Sequence, residues 1–324
     1  MSPGAGPKAM SDTKTILVTG AGGYVGSALV VRLAEAGHRV VGFGHATTYS
    51  ALRARAPRDV RLVAGELTDS ATLRDLTQGV DVVVHSGSVT GENACRRDMG
   101  AAVRAIVRGT RMVVDAVAAS RVPLLVHVST YAVYSTFRER PMPLAEDAEL
   151  APDDLYGALK AEAEWEAARV PSVALRLTNV YGRGAGIVLK RDVMGRYVRA
   201  VQEGEPLKMY GDGLQGIDFV HVDDVCRVVA GLADLPPAER PAVLNVGTGR
   251  AVSIRQVAET FRQVARHALD RDVALVTEPA PPGKIWPDRW VAVDRLKALF
   301  PWFPGTSLHA GIEELLRARW AEAA

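Results

Sequence analysis

The sequence of 324 residues predicts an α/β protein built on a doubly wound, parallel β-sheet. From Thr15 to Arg176, short β-branched runs alternate with longer stretches of helical pattern. Each short run is nearly all apolar, as expected of parallel strands that are buried on both faces. This alternation predicts one sheet with helices packed on both of its faces.

Six apolar runs are predicted strands of this sheet, and a seventh is predicted to rejoin it after an irregular region. The runs are Ile16–Val18, Arg39–Gly42, Arg61–Ala64, Val82–His85, Leu124–Val128, Val173–Arg176 and Val243–Val246. Six such strands, the first of them leading into a glycine-rich turn, fit a Rossmann sheet. A further helix is predicted to begin at Ser253, because a serine hydroxyl is a favourable N-cap.

The turn after the first strand reads Thr19-Gly20-Ala21-Gly22-Gly23-Tyr24-Val25-Gly26, and an apolar helix is predicted over Ala28–Ala36. Glycines allow a tight turn and a close approach to a pyrophosphate, which the N–H groups at the helix start can bind. An ordinary strand-to-helix turn is the alternative, but this position favours a dinucleotide site. The predicted cofactor-binding residues here are Gly20, Gly23, Tyr24, Val25 and Gly26.

Further cofactor contacts are predicted where later strands end. NAD-selective sites usually have a carboxylate at the end of the second strand, whereas this chain has Gly44-His45. His45 could contact a 2′-phosphate, or it could belong to a solvated loop. We therefore expect the cofactor to be NAD(P), with NADP favoured over NAD. Adenine and ribose contacts are expected from the ends of the third and fourth strands, at Glu66, Leu67, Gly87 and Ser88.

The pattern becomes irregular after Asn179, where Gly- and Pro-rich segments appear. We therefore expect a dinucleotide-binding Rossmann domain formed by residues 14–178 plus 217–248. Residues 179–216 plus 249–324 are expected to form a smaller, discontinuous C-terminal substrate lobe. Residues 1–13, which lack an apolar core, are expected to be a disordered leader.

Composition and charge exclude several classes of function. The net charge is +2, and the arginines are scattered, so we expect no nucleic-acid partner. No apolar stretch approaches the roughly 18 residues of a membrane span, so no membrane partner is expected. The cysteines, Cys95 and Cys226, lack metal-ligand spacing, and free thiols fit a reducing compartment. We expect a cytoplasmic protein without a metal site.

A tyrosine and a lysine, Tyr156 and Lys160, lie four residues apart near the start of a predicted helix, which places them on one face. An ammonium near a phenol lowers its pKa, so Tyr156 could exchange protons with a substrate. Ser129 and Thr130 follow the fifth strand, and either hydroxyl could polarise a carbonyl; Thr130 is favoured. The alternative is a surface pair without chemistry.

With these residues in order, the chain resembles the extended short-chain dehydrogenase/reductases, and within them the NAD(P)-dependent epimerase/dehydratase branch. The resemblance extends from Lys14 to Trp320 and includes three further blocks of sequence. They are Val128-Ser129-Thr130, Arg176-Leu177-Thr178-Asn179-Val180-Tyr181-Gly182, and Gly211-Asp212-Gly213 through Asp218-Phe219-Val220-His221-Val222-Asp223-Asp224.

The resemblance implies an enzyme that transfers hydride at a secondary alcohol or ketone carbon of a sugar, often a nucleotide-linked one. Catalysis would involve Thr130, Tyr156 as the acid/base, and Lys160, which would also orient the cofactor ribose. The leading hypothesis is an epimerase or ketoreductase, and substrate contacts are expected from Thr130, Tyr131, Asn179 and Arg183. A homodimer is also expected from the resemblance.

Departures from the family pattern leave two other functions open. Dehydratases carry an Asp-Glu pair where this chain has Tyr131 and Ala132, so dehydration is not expected. Two arginines that usually clamp a diphosphate are replaced by Ile217 and Pro281. The candidates to substitute for them are Arg183, Lys190, Lys208 and Lys284. The alternatives are an NADPH-dependent reductase of a non-nucleotide carbonyl and a non-catalytic dinucleotide sensor.

Overall fold

The computed structural model describes residues 13–135, 137–184, 192–280 and 286–323. Almost all of the expected leader, together with Lys190, Pro281 and Lys284, lies outside these ranges. Thirteen strands are described: β1 (Thr15–Thr19), β2 (Arg39–Gly44), β3 (Arg61–Ala64), β4 (Val82–His85), β5 (Leu125–Thr130), β6 (Ser172–Leu177), β7 (Asn179–Tyr181), β8 (Leu207–Tyr210), β9 (Gly216–Ile217), β10 (Phe219–His221), β11 (Val243–Val246), β12 (Val252–Ser253) and β13 (Leu275–Glu278).

Helices pack around these strands, in an order that alternates with the strands over the first half of the chain. They are α1 (Tyr24–Glu35), α2 (Tyr49–Arg53), α3 (Ser70–Leu76), α4 (Glu92–Arg97), α5 (Met99–Val103), α6 (Gly109–Ser120), α7 (Leu155–Ala167), α8 (Val193–Glu203), α9 (Val222–Asp234), α10 (Ile254–Leu269), α11 (Asp294–Leu299) and α12 (Leu308–Ala323). A π-helical segment, Arg104–Arg108, joins α5 to α6. Within the described residues, no helix is both long and apolar enough to cross a bilayer.

The central sheet has seven strands in the order β11-β6-β5-β4-β1-β2-β3, and every neighbouring pair is parallel. The predicted Rossmann sheet is therefore confirmed, including the return of Val243–Val246 beside β6. Parallel strands bring their carboxyl ends to one edge, where ligands of such sheets bind. The ends of β1, β4 and β5 therefore place the glycine-rich turn, Gly87 and Thr130 along a common edge.

The first predicted helix begins earlier than expected, at Tyr24 instead of Ala28. Gly23 is the extended residue before it, so the helix starts inside the glycine-rich turn. The prediction at Ser253 is confirmed, since its hydroxyl accepts from the Gln256 amide at 3.1 Å and the Gln256 side chain accepts from the Ser253 amide.

Buried apolar side chains form two large regions. Clusters on both faces of the sheet include Ile16 and Leu17, which alternate between the faces. A separate cluster, which we call the lobe core, lies between α8, α10, α12 and β8, and contains Tyr197, Phe261 and Leu316. Val291 belongs to a sheet cluster although it lies in the segment assigned to the lobe. The predicted domain boundaries remain a prediction.

Candidate functional site

The glycine-rich turn makes backbone contacts that leave no room for side chains. Gly20 has a φ of +70°, and a Cβ there would lie 2.5 Å from the Gly87 Cα atom. A Cβ on Gly26 would lie 2.1 Å from the Gly20 carbonyl oxygen. Gly23 caps α1 without a side-chain hydrogen bond, so no side chain blocks the N–H groups at the helix start. This cradle fits a pyrophosphate, as the sequence predicts.

Side chains connect the turn to the rest of the site. The Tyr24 hydroxyl donates to the carbonyl of Gly182, just beyond β7, and burial raises the pKa of Tyr24. The half-buried Val25 packs against the sheet cluster. Both residues therefore hold the turn in place through their side chains, while their backbones contribute to the start of α1.

The predicted adenine-side residues also meet at this edge. The His45 Nδ1 atom lies 3.3 Å from Glu66 Oε1, and both side chains are 68% exposed. Leu67 packs on Gly87, where a Cβ would lie 2.7 Å from Leu67 Cδ1. The Ser88 hydroxyl donates to the Val89 carbonyl at 2.9 Å. The Glu66 carboxylate thus lies beside the end of β2, although Glu66 itself follows the end of β3.

Thr130 and Tyr156 are brought together by β5 and α7. The Thr130 side chain lies close enough to the Tyr156 phenol to counteract, through side-chain hydrogen bonding, part of the rise in the Tyr156 pKa. The helix start is fixed by Asp154, whose carboxylate accepts from the Gly157 amide at 2.6 Å. Glu92 Oε2 also accepts from the Tyr156 amide, at 3.1 Å. The tyrosine therefore has a defined position beside the strand end.

Lys160 is buried one helical turn after Tyr156. Its Nζ donates to the Val128 carbonyl at 2.6 Å and lies 3.4 Å from Nε2 of His127. Burial lowers the pKa of Lys160 to about 8 and raises the pKa of Tyr156, which the Thr130 hydrogen bond opposes. The expected lowering of the Tyr156 pKa by Lys160 is therefore wrong in this structure, because desolvation of the phenol is the larger effect.

The predicted substrate residues differ in how closely they approach this pair. Asn179 Nδ2 donates to the Tyr131 hydroxyl at 3.4 Å, so these two side chains meet next to Thr130. Arg183 is half-buried and directly follows Gly182, on the side of the glycine-rich turn. The structure therefore brings Thr130, Tyr131 and Asn179 together. Arg183 instead lies next to Gly182, whose carbonyl accepts from the Tyr24 hydroxyl.

Comparison with known proteins identifies the family. Residues 16–247 match the model of the NAD dependent epimerase/dehydratase family. The chain belongs to this family. It is thus an enzyme of the extended short-chain dehydrogenase/reductase class, and its cofactor is a nicotinamide dinucleotide.

Several relatives of this epimerase/dehydratase-family enzyme are similar over most of their length. A probable UDP-glucuronate 4-epimerase of Rhizobium meliloti (strain 1021) is 26% identical over 330 residues, covering 91% of this chain and 94% of the relative. The dTDP-glucose 4,6-dehydratase of Streptomyces antibioticus is 30% identical over 255 residues, covering 75% and 74%. MoeE5, solved in complex with UDP-glucuronic acid and NAD, is 27% identical with a TM-score of 0.78, covering 95% of this chain and 99% of MoeE5.

A buried ion pair that the sequence analysis did not predict holds helix α7 of this family member on its sheet. Arg176 in β6 donates from Nη2 to Glu164 in α7 at 2.7 Å, and both side chains are at most 7% exposed. Glu164 also accepts from the Ser129 hydroxyl. Ser129 is thus engaged below the site, which leaves Thr130 as the hydroxyl that faces Tyr156. An arginine in an otherwise apolar strand was the signal that could have revealed the pair.

Two histidines lie beneath the site. His85 is hydrogen-bonded to Thr19 Oγ1 at 2.6 Å and to Thr110 Oγ1 at 2.9 Å, and burial lowers its pKa to about 3. Both ring nitrogens of His85 are therefore hydrogen-bonded, and the residue has a structural role. His127, which no sequence motif singles out, has a buried Nδ1 without a hydrogen-bond partner among the described residues and contacts Lys160 through Nε2.

One group of potential metal-binding side chains lies away from this site. Ligand atoms of His221, Asp223 and Glu314 lie within 4.8 Å of one another. Both carboxylate oxygens of Asp223, however, accept hydrogen bonds from Arg32, at 2.9 and 3.0 Å. A guanidinium in this position competes with a metal ion, so we assign the group to the packing of α1 against α9. His221 is also the N-cap of α9, because its Nδ1 accepts from the Asp223 amide at 3.3 Å.

Proposed function

We propose that the chain is a 4-epimerase of a nucleotide-linked sugar. The juxtaposition of Thr130 at the end of β5 with Tyr156 in α7, where Lys160 follows one helical turn later, carries this proposal. The names of the Rhizobium relative and of the MoeE5 complex indicate UDP-sugar chemistry in those proteins. Neither comparison favours the carbonyl reductase or the dinucleotide sensor.

A nicotinamide dinucleotide held by the glycine-rich turn would supply the hydride acceptor and donor needed to invert C4 of the sugar. Thr130 and Tyr156 hydrogen-bond to the 4-hydroxyl, and its proton passes to the Tyr156 oxygen as the C4–H bond breaks. The resulting 4-keto sugar turns in the pocket and regains both hydride and proton. Lys160 would orient the cofactor ribose, and because burial raises the pKa of Tyr156, the phenol has to lose its proton before it can accept that of the 4-hydroxyl. The overall reaction is redox-neutral.

Dehydration is disfavoured by the two side chains that follow Thr130. Ala132 presents only a methyl group, and its amide donates to Thr130 Oγ1 at 3.2 Å. Tyr131 is engaged with Asn179. Neither residue supplies the acid and base that elimination of water requires.

The exposed pair of His45 and Glu66 at the sheet edge bears on whether the cofactor is NADP or NAD. The sequence favours NADP because no acid ends β2. Glu66, 3.3 Å from His45, supports NAD instead, since a carboxylate there repels a 2′-phosphate and can accept from ribose hydroxyls. The NAD in the MoeE5 complex points the same way. We therefore propose NAD.

Assembly and location are part of the same proposal. Trp165 lies on α7 with 75% of its surface exposed, and Met99 on α5 is 59% exposed. Large apolar side chains of this kind are typical of an interface. We propose a homodimer whose interface buries the exposed apolar side chains of α5 and α7. We also propose that the protein resides in the cytoplasm.

The test is to incubate the protein with NAD and each of UDP-glucose and UDP-glucuronic acid, and to follow inversion at C4 by NMR. Tyr156→Phe is expected to lower kcat by roughly 10²–10⁴-fold, the range of acid–base catalysis. Tyr197→Phe is a matched control, because its hydroxyl contacts the Lys208 carbonyl within the lobe. Net NADPH consumption with non-nucleotide carbonyls would support the reductase, and dinucleotide binding without any turnover would support the sensor.

A further inference from the structure

Three polar side chains form a row across the central sheet, one on each of three neighbouring strands. Thr19 in β1 pairs in register with His85 in β4, and His85 pairs with His127 in β5. Side chains of paired residues project to the same face of a sheet. The two imidazole rings accordingly lie close together, with centroids 5.5 Å apart. His127 is the member of this row that lies against Lys160 of α7.

The hydrogen bonds of His85 fix the position of its proton. Thr110 Oγ1 donates to the Ile106 carbonyl at 2.5 Å, and a hydroxyl has only one proton to donate. Thr110 Oγ1 can therefore only accept from Nε2 of His85, 2.9 Å away. Nδ1 of His85 then accepts from the Thr19 hydroxyl, at 2.6 Å. Both ring nitrogens of His85 are thus satisfied without any contribution from His127.

His127 carries its proton on the other nitrogen of the ring. Burial lowers the pKa of His127 well below its ordinary value, so the ring is neutral. An ammonium group has three donors and no acceptor, so Nε2 of His127 accepts from Lys160 Nζ and the proton of the ring is on Nδ1. This Nδ1 atom is buried and has no hydrogen-bond partner among the residues that the structure describes.

An unsatisfied buried N–H group lowers the stability of the protein. A leucine at position 127 would fill much of the same space without a polar atom, at no such cost. The residue paired with His127 on its other side, Ala174 in β6, has no polar side chain that could satisfy Nδ1. Stability alone would therefore favour an apolar residue at this position. What the histidine adds is the acceptor at Nε2.

The Lys160 ammonium has three N–H bonds, and the protein engages two of them. One is donated to the Val128 carbonyl at 2.6 Å, and the second is directed at Nε2 of His127, 3.4 Å away. Two acceptors fix the rotation of the ammonium about its Cε–Nζ bond, so the third N–H bond has a single direction. This third bond is the one that remains for a cofactor ribose.

Other titratable groups near Lys160 do not take over the part of His127. Burial opposes the charge of the ammonium, and the Glu164 carboxylate, one helical turn later in α7, favours it. His85 is neutral because burial lowers its pKa to about 3, and Tyr156 is neutral because burial raises its pKa. The acceptor that the sheet offers through a side chain is therefore His127.

We propose that His127 is a positioning residue whose Nε2 atom holds the Lys160 ammonium so that one N–H bond is directed at the cofactor ribose. The buried Nδ1–H group is left unsatisfied as a consequence. This inference rests on the role of Lys160 in the proposed function, and it adds a residue that acts only through Lys160.

NMR of protein that contains nitrogen-15-labelled histidine tests the assignment on the wild type, without turnover. The His127 signals, identified by their loss in His127→Gln, are expected to show the Nδ1–H tautomer. The His85 signals, identified by their loss in His85→Leu, are expected to show the Nε2–H tautomer. A His127 ring protonated at Nε2 would overturn the proposal, because it could not accept from Lys160.

His127→Leu separates positioning from packing. Loss of the acceptor is expected to lower the pKa of Lys160, which is about 8, by about one unit. NAD binding in isothermal titration calorimetry should then be roughly 5–10-fold weaker than in the wild type at pH 8.5. It should be unchanged at pH 6.5, where both proteins have the ammonium. His127→Gln supplies an amide oxygen as acceptor and should restore the affinity at pH 8.5.

Urea denaturation at pH 9, where most of Lys160 is neutral, gives the second measurement. The midpoint for His127→Leu is expected to equal or exceed that of the wild type, since no N–H group is left unsatisfied. His85→Leu is the matched control. Its midpoint should fall, because the Thr19 hydroxyl loses its acceptor, while the pH dependence of NAD binding should remain that of the wild type.

The outcomes separate this proposal from the proposed function. A His127→Leu protein with a lower midpoint and wild-type NAD affinity at both pH values would assign His127 to packing and refute the proposal, and so would a variant that does not fold. None of these measurements uses a sugar. If the NAD and NMR results are as expected but no nucleotide-linked sugar is inverted at C4, the proposed function fails while the assignment of His127 stands.

Discussion

The Nζ atom of Lys160 lies 3.4 Å from Nε2 of His127, and both side chains are buried. His127 therefore offers an acceptor to the lysine from below, in addition to the Val128 carbonyl. An acceptor stabilises the ammonium form, which the surrounding burial opposes. This contact links the protonation state of Lys160 to a residue that does not approach the substrate.

The first prediction concerns pH. With the pKa of Lys160 lowered to about 8, the ammonium is present below that pH and is lost above it. We expect kcat to be level below pH 8 and to fall about tenfold per unit well above it. His127→Leu removes the acceptor and should move the decline to lower pH, whereas His127→Gln should retain the wild-type profile. A kcat that stays level to pH 9.5 would argue against an essential ammonium.

The second prediction concerns the buried pair of Arg176 and Glu164. Arg176→Met leaves a carboxylate buried without its cation, which is expected to lower the free energy of unfolding by about 3–5 kcal/mol. The double variant with Glu164→Gln should recover part of this loss, because no charge remains buried. Urea denaturation measures both. Arg169→Met breaks an exposed pair with Glu166 and should have little effect, so an equal loss there would refute the explanation.

The third prediction concerns the cofactor. Glu66→Gln removes the carboxylate beside His45 and is expected to improve the affinity for NADP relative to NAD by about tenfold. Asp75→Asn removes an exposed carboxylate from α3 and serves as the control. Fluorescence titration with both reduced cofactors gives the ratio. Tighter binding of NADPH than of NADH by the wild type would favour the original sequence interpretation.

The fourth prediction concerns assembly. Trp165→Glu places a charge on the exposed face of α7 and is expected to convert a dimer into a monomer in sedimentation velocity. Leu214→Glu changes a side chain that is 62% exposed outside this helical face, and it should leave the mass unchanged. A wild-type monomer at micromolar concentration would contradict the proposed homodimer.

The sequence by itself determined the strands and helices of the sheet, and it predicted the positions that would carry the chemistry. Alternating apolar runs predicted the strands, since burial between two helix layers requires nearly continuous apolar sequence. Gly20 and Gly26 were recognisable because only glycine tolerates their backbone contacts, and the spacing of Tyr156 and Lys160 predicted a common helix face.

The tertiary structure decided which distant groups meet. His127 approaches Lys160, Arg176 reaches Glu164, and Arg289 pairs with Ile217 only because segments that are separate in the chain become neighbours in the fold. It also reversed the expected pKa shift of Tyr156, since desolvation depends on everything packed around the phenol. Local sequence patterns carry periodicity and turn chemistry, whereas burial and long-range pairing arise only when the whole chain is folded.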